Sequence, residues 1–455
     1  MADLNNSDWL FQRIESHGER SFLATRREFK KYSELSKQVL EIGNELSKTI
    51  PVKASVAVLG DYSPNSIASF LWLIKNKSII VPIAASAKME TVERCQLASC
   101  DFLIDTINNP ESVKVQALKP TKDSHPLIRK LQSQNRAGLI LYSSGSTGMP
   151  KAMIHDLDNL IQVYREKKIR NLSMIIFLMF DHIGGINTLF NSLASGSFMV
   201  APMQRDAEEV AALIQEHKVV ILPTSPTFLN LLLISGVQKR FDLSSLKIIT
   251  YGTEPMPESL LRKLREAFPR VKFLQTFGTS ETGIAQTASK SSGSLFMRIN
   301  ESDIEYKIVD GELWLRSKTQ ILGYLNHGME SFTPDRWFRT GDQVEKDETG
   351  YIRVIGRKKE TINVGGEKVM PSEVESTILE VDCVKDCTVF GEANPITGQI
   401  VVAKIELKEG ANQTTAKSDI REWCSKTLSR YKIPVKFIFS KSSLFGERLK
   451  KKRNS

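Results

Sequence analysis

Small hydroxyl residues, glycines and a lysine form the strongest local pattern in this 455-residue chain. The run from Leu141 to Lys151 reads LYSSGSTGMPK and grows out of the apolar segment AGLILY. Glycines let backbone N–H groups approach an anion closely, while hydroxyls and a lysine add donors and positive charge. The pattern predicts a polyphosphate-binding loop, with a flexible Ser/Gly linker as the alternative. The Walker spacing is absent, and Ser144 and Ser146 lack the GxSxG frame of a hydrolase nucleophile.

Two further motifs place a carboxylate in a polar turn. QTFGTSETG follows the strand-like VKFLQ and carries Glu281. Mg²⁺ prefers one or two carboxylates together with phosphate oxygens, so Glu281 at the end of a strand is a candidate metal ligand. In FRTGD, Asp342 follows a glycine turn and is able to accept both ribose hydroxyls of a nucleotide. Taken alone, each motif is equally consistent with an ordinary polar loop.

Alternating helices and strands must position these motifs. The segment from Phe29 to Ile50 has the apolar spacing of a helix, and ASVAVLG and SIIVPIA are short runs typical of buried parallel strands. The same rhythm continues to VKFLQTFG. After residue 300, DIEYKIVDGELWLRS and GYIRVIG predict a smaller β-rich segment. We therefore predict a mixed α/β and α+β protein, with doubly wound α/β sheets and a β-rich subdomain in residues 1–358 and a small α+β domain in 359–455.

Composition excludes several classes of protein. Hydrophobic residues at 41% and charged residues at 25% argue against disordered, collagen-like or coiled-coil chains. No apolar run approaches the ~20 residues that would span a bilayer, and the N-terminus shows no secretory signal. The five cysteines form no CxxC pair, so a reducing cytoplasm is the expected location.

The basic excess of the chain is unevenly distributed. Lys+Arg number 62 against 52 Asp+Glu, a net charge of +10, and the last fifteen residues hold six basic residues against one acid. Nucleic acid, an anionic membrane or an acidic protein could each explain such a balance. The terminal KKKR has only four basic residues and no neighbouring aromatic platform, so we do not expect nucleic acid as the partner.

The order of the motifs resembles that of the adenylate-forming superfamily, which includes acyl- and aryl-CoA synthetases, peptide-synthetase adenylation domains and firefly-type luciferases. The series is YSSGSTGMPKA, YGTEPMP, FGTSETG, RTGD and GRKKETINVGGEKVMPSEVE, and it covers nearly the whole chain. The resemblance implies a ligase that activates a carboxylic acid with MgATP to an acyl-adenylate and pyrophosphate. The acyl group would then pass to the thiol of CoA or of phosphopantetheine on a separate acyl carrier protein.

The resemblance also implies a role for individual residues. The first motif would hold the phosphates, the segment at Gly252 and the ring of Phe277 would flank adenine, and Glu281 would bind Mg²⁺. Asp342, assisted by Arg357, would bind the ribose. The residues thus assigned to the nucleotide are Ser143, Ser144, Gly145, Ser146, Thr147, Gly148, Lys151, Gly252, Thr253, Glu254, Phe277, Gly278, Ser280, Asp342 and Arg357.

Three catalytic assignments follow from the same resemblance. His182, in FDHIGG, would be a gate or a carboxylate contact in the acyl pocket, and a core or surface histidine is the alternative. Lys359 falls at a hinge about which a small, mobile C-terminal domain would rotate. The family usually ends in Gly-Lys-x-x-Arg, whereas GERLK places Glu447 at the lysine position. Either Lys450 or Arg448 reaches the site, or adenylation is weak, or the tail is not catalytic.

The sequence constrains the identity of the acid less than it constrains the reaction. TFLNLLLISG predicts an apolar pocket wall, which favours an aliphatic or aryl acid. Asp181 could pair with a substrate amine, which keeps an α-amino acid open. A second hypothesis, motivated by Glu447, is a degenerate adenylating fold that binds a ligand or a partner with weak turnover.

Overall fold

The computed structural model describes residues 7–107, 113–120, 123–143, 150–300, 304–440 and 444. The helices in these ranges are α1 (Asp8–Ser16), α2 (Tyr32–Leu46), α3 (Pro64–Lys75), α4 (Thr91–Leu97), α5 (Pro126–Ser133), α6 (Leu157–Gln162), α7 (Ile183–Ser195), α8 (Ala207–His217), α9 (Pro226–Ser235), α10 (Glu258–Ala267), α11 (Pro371–Ile378) and α12 (Gln413–Thr427). Short 3₁₀ helices lie at Ala85–Glu90, Val237–Lys239, Lys358–Glu360 and Arg430–Lys432.

The strands lie between these helices in the first part of the chain and dominate its middle part. They are β1 (Ser21–Ala24), β2 (Phe29–Lys31), β3 (Ser55–Leu59), β4 (Ile79–Ile83), β5 (Phe102–Asp105), β6 (Lys114–Ala117), β7 (Gly138–Ser143), β8 (Lys151–Asp156), β9 (Ser173–Ile175), β10 (Phe198–Val200), β11 (Ile221–Thr224), β12 (Ile248–Tyr251), β13 (Lys272–Gln275), β14 (Phe277–Thr279), β15 (Gly283–Ala285), β16 (Thr287–Ser289), β17 (Met297–Ile299), β18 (Ile304–Val309), β19 (Glu312–Ser317), β20 (Gly323–Tyr324), β21 (Phe338–Lys346), β22 (Ile352–Arg357), β23 (Ile362–Val364), β24 (Glu367–Val369), β25 (Val384–Asn394), β26 (Gly398–Leu407) and β27 (Lys436–Phe439).

Two seven-stranded sheets with helices between and around them form most of the N-terminal part. Their strand orders are β13-β12-β11-β9-β10-β1-β2 and β20-β8-β7-β4-β3-β5-β6. Every pairing in the first sheet is parallel except that of β1 with β2, and β7, β4, β3 and β5 are parallel in the second. The central strands β3 and β4 are buried along their whole length, as strands covered on both faces must be. The predicted doubly wound α/β architecture is confirmed.

The predicted change to a β-rich segment after residue 300 is also confirmed. A six-stranded sheet, β16-β17-β22-β21-β19-β18, is antiparallel throughout. The C-terminal unit is a five-stranded sheet, β24-β23-β26-β25 with β27 on β26, covered by α11 and α12. These two sheets are joined by the 3₁₀ turn Lys358–Glu360, which directly follows β22.

Local sequence explains why these helices begin and pack where they do. Ser63 caps α3 by accepting a hydrogen bond from Ser66 N, and Pro64 occupies the first helical position. The apolar stripe of α2 is buried in the core as its spacing predicts, with Tyr32 and Leu35 almost fully enclosed.

The apolar run TFLNLLLISG packs one of its faces into the core. It forms α9, whose Phe228, Leu229 and Leu232 are buried in the same core cluster as α8 and α10. The side of α9 that reaches a cleft presents Thr227 and Asn230. Leu229 and Leu232 fix the helix onto the sheet, and the apolar acid-pocket wall stays a prediction.

The C-terminal unit rests on α10 through α11. Ser259 Oγ donates to Ser376 O at 3.0 Å, Lys263 Nζ to Leu379 O at 2.8 Å, and Arg262 Nη2 lies 2.9 Å from Glu380 Oε1. A cleft of about 550 Å³ separates the two units beside these contacts. Within the described ranges, no helix is both long enough and apolar enough to cross a membrane.

Candidate functional site

The predicted phosphate loop closes on a direct cross-strand pair. β7 and β8 are antiparallel neighbours, and Ser143 lies opposite Lys151 in their register. Ser144, Gly145, Ser146, Thr147 and Gly148 lie outside the described residues. The two ends of the loop are therefore fixed next to each other by the strand ladder, and both carry side chains that we predicted to meet phosphate.

Asn326 secures the exit of this loop. Its Nδ2 donates to Pro150 O at 2.8 Å, and its Oδ1 accepts from Ala152 N at 2.9 Å. One side chain thus binds the backbone on both sides of Lys151. The sequence gives no local sign of this contact, because Asn326 is 174 residues away from Ala152 along the chain.

Tyr324 connects the loop lysine to the candidate magnesium ligand. Its hydroxyl donates to Glu281 Oε1 at 3.0 Å, and Lys151 Nζ lies 5.6 Å from the centroid of its ring, within cation–π range. Burial, followed by the neighbouring charge of Glu281, raises the pKa of Tyr324 well above its usual range. The phenol therefore stays a neutral donor, and it holds the carboxylate near the positive end of the loop.

Glu281 lies at the tip of a two-stranded hairpin. In the β14–β15 ladder Phe277 pairs with Ala285 and Thr279 with Gly283, so Ser280, Glu281 and Thr282 form the turn. Thr279 Oγ1 accepts from Thr282 N at 3.1 Å, which closes that turn. The predicted adenine-stacking residue and the predicted metal ligand thus belong to one small, rigid element.

The segment at Gly252 lies against the start of this hairpin. A side chain at Gly252 would approach Thr276 Oγ1 and Thr276 O to within 2.8 Å, so the close contact of the two strand ends requires glycine. Thr253 adopts a left-handed φ of 72°, and Glu254 Oε1 accepts from Thr227 N at 2.7 Å. The Glu254 carboxylate therefore caps the first turn of α9 and holds the loop that follows Gly252 against that helix.

Asp342 and Arg357 form a second cross-strand pair, on β21 and β22. Arg357 Nε lies 2.7 Å from Asp342 Oδ1, and Asp342 is 5% exposed. Burial raises the pKa of Asp342 to about 6, while the Arg357 guanidinium opposes the shift and Glu281 is among the carboxylates that reinforce it. Glu281 and Asp342 are therefore near enough for their charges to interact.

Glu312 holds the backbone around Asp342. Its Oε1 accepts from Gly341 N at 3.1 Å and its Oε2 lies 3.2 Å from Lys358 Nζ. Gly341 has φ 74°, a conformation that favours glycine and that turns Asp342 back into the sheet. Sequence reasoning missed Glu312, since its partners come from a neighbouring strand rather than from its own turn.

His182 has a structural role in addition to the predicted one. It is the N-cap of α7, and its Nδ1 accepts from Gly184 N at 3.1 Å. Any contact with a carboxylate would therefore fall to Nε2. The neighbouring Asp181 is buried and lies 2.9 Å from Nη1 of the equally buried Arg94. The sequence-based option that Asp181 pairs with a substrate amine is not supported, because its charge is already matched within the protein.

Arg94 links that acidic residue to the phosphate loop. Its guanidinium lies 5.0 Å from the ring centroid of Tyr142, and its backbone O accepts from Tyr142 OH at 2.6 Å. Tyr142 directly precedes Ser143. Arg94 therefore buttresses the strand that leads into the loop, a function for which the sequence showed no motif.

The remaining predicted residues lie at or beyond the junction. Lys359 is exposed in the 3₁₀ turn after β22, and Gly365 and Gly366 form the exposed turn between β23 and β24 with φ of 60° and 92°. Lys450 and Glu447 lie outside the described residues. The site as described therefore brings together Lys151, Glu281, Asp342 and Arg357, and leaves the terminal lysine unplaced.

Comparison with known families now adds independent information. A family model described as AMP-binding enzyme matches residues 10–325, and one for the AMP-binding enzyme C-terminal domain matches residues 373–453. The chain belongs to the AMP-binding enzyme family. The family resemblance that the motifs suggested is thus confirmed over most of the length.

Individual relatives share less than a third of their residues with this chain. A probable CoA ligase from Humulus lupulus is 30% identical over 345 residues, covering 67% of this chain and 62% of the relative. An acyl-CoA synthetase 7 from Caenorhabditis elegans is 29% identical, with 67% and 63% covered. The chain thus spans slightly over three fifths of these relatives. A 2-succinylbenzoate–CoA ligase from Listeria monocytogenes is 23% identical, with 94% of both chains covered.

Solved structures agree on the fold. An anthranilate CoA ligase in complex with anthranoyl-AMP superposes with a TM-score of 0.81 at 21% identity, covering 97% of this chain and 95% of that one. An o-succinylbenzoate CoA synthetase from Bacillus subtilis gives 0.75 at 20% identity, with 98% and 97% covered. At such identities the likeness shows the shared architecture of a large and a small domain.

Proposed function

We propose that the protein is an AMP-forming acid–thiol ligase. It activates a carboxylic acid with ATP to an acyl-adenylate and pyrophosphate, and then transfers the acyl group to the thiol of CoA or of a carrier-bound phosphopantetheine. The observation that carries this proposal is the convergence of Lys151, Tyr324 and Glu281 with the Asp342–Arg357 pair. A positive charge for phosphates, a candidate metal ligand and a candidate ribose acceptor thus lie near one another, which supports the proposal.

The donor set fits Mg²⁺ bound together with ATP. The Glu281 carboxylate, oriented by its hydrogen bond from Tyr324, would hold the ion, and substrate phosphates would supply further oxygens, as Mg²⁺ prefers. When bound, the ion would neutralise charge on the phosphates. The remaining steps, binding and orienting ATP, fall to residues of the chain. Lys151 attracts the phosphates and Asp342 orients the ribose, while Asn326 keeps the loop exit in place.

Several further assignments belong to this proposal. The large and small domains divide at residues 358 and 359, inside the 3₁₀ turn, with Lys359 as the pivot. Ser143 to Gly148 cradle the phosphates, and Gly252, Phe277 and Gly278 enclose adenine. Ser280, Thr253 and Glu254 border the nucleotide. His182 faces the acid, and Lys450 approaches it from the tail.

ATP–pyrophosphate exchange across a panel of carboxylic acids tests the proposal. We expect exchange with at least one acid, and we expect Glu281→Gln, which keeps the shape but removes the charge, to reduce it by about 10²–10³-fold. Asp347→Asn, a charge removal on an exposed ion pair with Lys290, serves as the matched control and leaves exchange unchanged. Nucleotide binding without exchange for any acid would instead support a degenerate fold with a binding role.

The tail requires its own measurement. Lys450→Ala should lower exchange strongly if Lys450 replaces the family lysine, whereas Arg448→Ala should do so if the arginine has that position. An unchanged exchange rate in both variants would show that the tail takes no part in adenylation. Thioester formation from a synthetic acyl-adenylate, with CoA or with a carrier protein as acceptor, then identifies the thiol.

A further inference from the structure

Two cysteines lie side by side at the end of α4, the short helix that also carries Arg94. Cys95 belongs to the helix and Cys100 follows it, and both are buried free thiols, 7% and 1% exposed. We propose that they form a redox modification site, which a hydroperoxide closes to a disulfide and a small thiol reopens, and that the disulfide weakens the binding of ATP. The effect on ATP rests on the proposed function, whereas the disulfide itself does not.

The geometry of the helix end brings the two cysteines together. Ser99 has a left-handed φ of 48°, and its N–H donates to Gln96 O at 3.2 Å. Cys100 N donates to Cys95 O at 2.9 Å. These two bonds form a Schellman motif, in which side chains at the positions of Cys95 and Cys100 frequently contact each other. With standard bond lengths, the second bond keeps the two Cα atoms less than about 7 Å apart, the limit for a disulfide that needs no backbone movement.

The two side chains also point toward each other, because the thiols of Cys95 and Cys100 share a hydrogen bond. This bond lowers the pKa of Cys95 against the opposing effect of burial, and together with burial it raises the pKa of Cys100. Cys95 is therefore the thiol that ionises first, and it is also the more exposed of the two. Cys100 lies in the place of a resolving thiol.

The reaction balances with one equivalent of hydroperoxide. The Cys95 thiolate attacks the O–O bond, which breaks to leave a sulfenic acid on Cys95 and, once a proton is taken up, an alcohol or water. The Cys100 thiol then attacks the sulfenic sulfur, the S–O bond breaks, and its proton leaves with the oxygen as water while the disulfide forms. The two sulfurs lose two electrons, and the peroxide gains them. Thiol–disulfide exchange with a small dithiol reverses the step.

Arg94, one residue before Cys95, connects this pair to the phosphate loop. Its backbone O accepts from Ala98 N at 3.1 Å and from Tyr142 OH at 2.6 Å, so the last turn of α4 and the strand that leads into the loop share one acceptor. Cys95, Cys100 and Tyr142 also belong to one buried cluster. A disulfide draws the two sulfurs from hydrogen-bond contact to covalent distance, and a close-packed interior transmits such a shift. We therefore expect the entry of the loop to move when the disulfide closes.

Peptide mass tests the disulfide in the full-length protein. Trypsin cleaves after Arg94 and after Lys114, so both cysteines fall in one peptide. After treatment with hydrogen peroxide and blocking of the remaining thiols with iodoacetamide, we expect this peptide to be unalkylated and lighter by two hydrogens. Dithiothreitol should restore both alkylation sites. Two alkylated cysteines, or a sulfinic acid on Cys95, would overturn the modification site and leave the ligase function standing.

Calorimetry with MgATP tests the effect on nucleotide binding. We expect the Kd to be about tenfold higher for the oxidised than for the reduced protein, the equivalent of one lost hydrogen bond, and to return after dithiothreitol. Cys95→Ala cannot form the disulfide, so its Kd should not respond to peroxide. Cys383→Ala, at a half-buried thiol of the C-terminal unit, is the matched control and should respond as the wild type does.

The two measurements separate this inference from the proposed function. If the peptide carries the disulfide and the Kd is unchanged, the connection to the phosphate loop is refuted. If Cys95→Ala loses affinity for ATP on oxidation as the wild type does, another residue is responsible and the inference fails. A redox-dependent Kd in a protein that exchanges pyrophosphate with no acid would support the inference and overturn the ligase function.

Discussion

Two arginine–carboxylate pairs in this molecule have the same N–O distance, 2.9 Å, and opposite surroundings. The Arg94–Asp181 pair lies inside the large domain, where the two side chains are 2% and 1% exposed. The Arg262–Glu380 pair joins the large domain to the C-terminal unit, and its side chains are 57% and 24% exposed. Equal geometry therefore does not mean equal energy, because water screens the second pair and not the first.

The same difference in exposure distinguishes the surroundings of the phosphate loop from the contact between the domains. Around the phosphate loop, buried partners hold each group in one arrangement, as Tyr142 shows by stacking on Arg94 and bonding its carbonyl. At the domain contact, part-buried hydrogen bonds and one more exposed ion pair hold surfaces that leave a cleft between them. The ion pair in the first region is fully enclosed by protein, whereas the one at the domain contact is open to water.

The largest effect is expected from the buried pair. Arg94→Leu leaves the Asp181 charge in the core, and we expect the free energy of unfolding to fall by about 3–5 kcal/mol. Urea denaturation followed by circular dichroism measures this loss. The double variant Arg94→Leu/Asp181→Leu should recover much of it, since both charges are then absent. Equal destabilisation by the single and the double variant would contradict the assignment.

The second largest effect should come from the buried carboxylate of Asp342, which makes the free energy of unfolding depend on pH. Its pKa in the folded protein is about 6, against an ordinary 3.8, so the folded state holds this proton more tightly than the unfolded state. Stability due to Asp342 is therefore complete below about pH 4 and is lost as the pH rises through about 6, by up to about 3 kcal/mol. Asp342→Asn cannot titrate and should lack this loss when unfolding is compared at pH 4.5 and 7.5 without nucleotide. Parallel pH profiles for the two proteins would refute the shift.

A smaller effect is expected from Tyr324→Phe. The change removes one hydrogen bond to Glu281 but keeps the ring under Lys151. We expect the KM for ATP to rise about tenfold, since one bond to a charged group is worth about 1.5 kcal/mol, with little change in unfolding. Tyr351→Phe, at a half-buried ring beside Arg298 and away from Glu281, is the control. An unaltered KM would mean that Tyr324 supports the fold and not the site.

The smallest effect is expected from Arg262→Leu, the exposed counterpart of the first substitution. Glu380 keeps its hydrogen bond from Trp423 Nε1 at 3.1 Å, so no buried charge is created. The free energy of unfolding should change by less than about 1 kcal/mol, as for exposed ion pairs generally. A loss as large as that of Arg94→Leu would show that the domain contact is rigid and would remove the contrast between the two regions.

Local patterns predicted the elements better than the contacts between them. The hydroxyl and glycine run, Glu281 and Asp342 were singled out as candidates because each lies next to a strand in its own segment, and their roles stay predictions. Tyr324, Asn326 and Glu312 were missed because their partners arrive through pairing of distant strands; Tyr324 is 43 residues from Glu281, and β20 is only two residues long. Arg94 was missed for the same reason, since a single charged residue in a short helix carries no signal until its partner is known.

Arg357 ends β22, next to the strand that carries Asp342, and the turn between the two units begins at the following residue. If the small domain turns about Lys359, as we propose, the pivot lies directly beside the Asp342–Arg357 pair. Under that proposal the displacement is small at Arg357 and largest at the distal tip of the β25–β26 hairpin. A large change in the surface that the small domain presents would then leave the proposed ribose pair nearly in place.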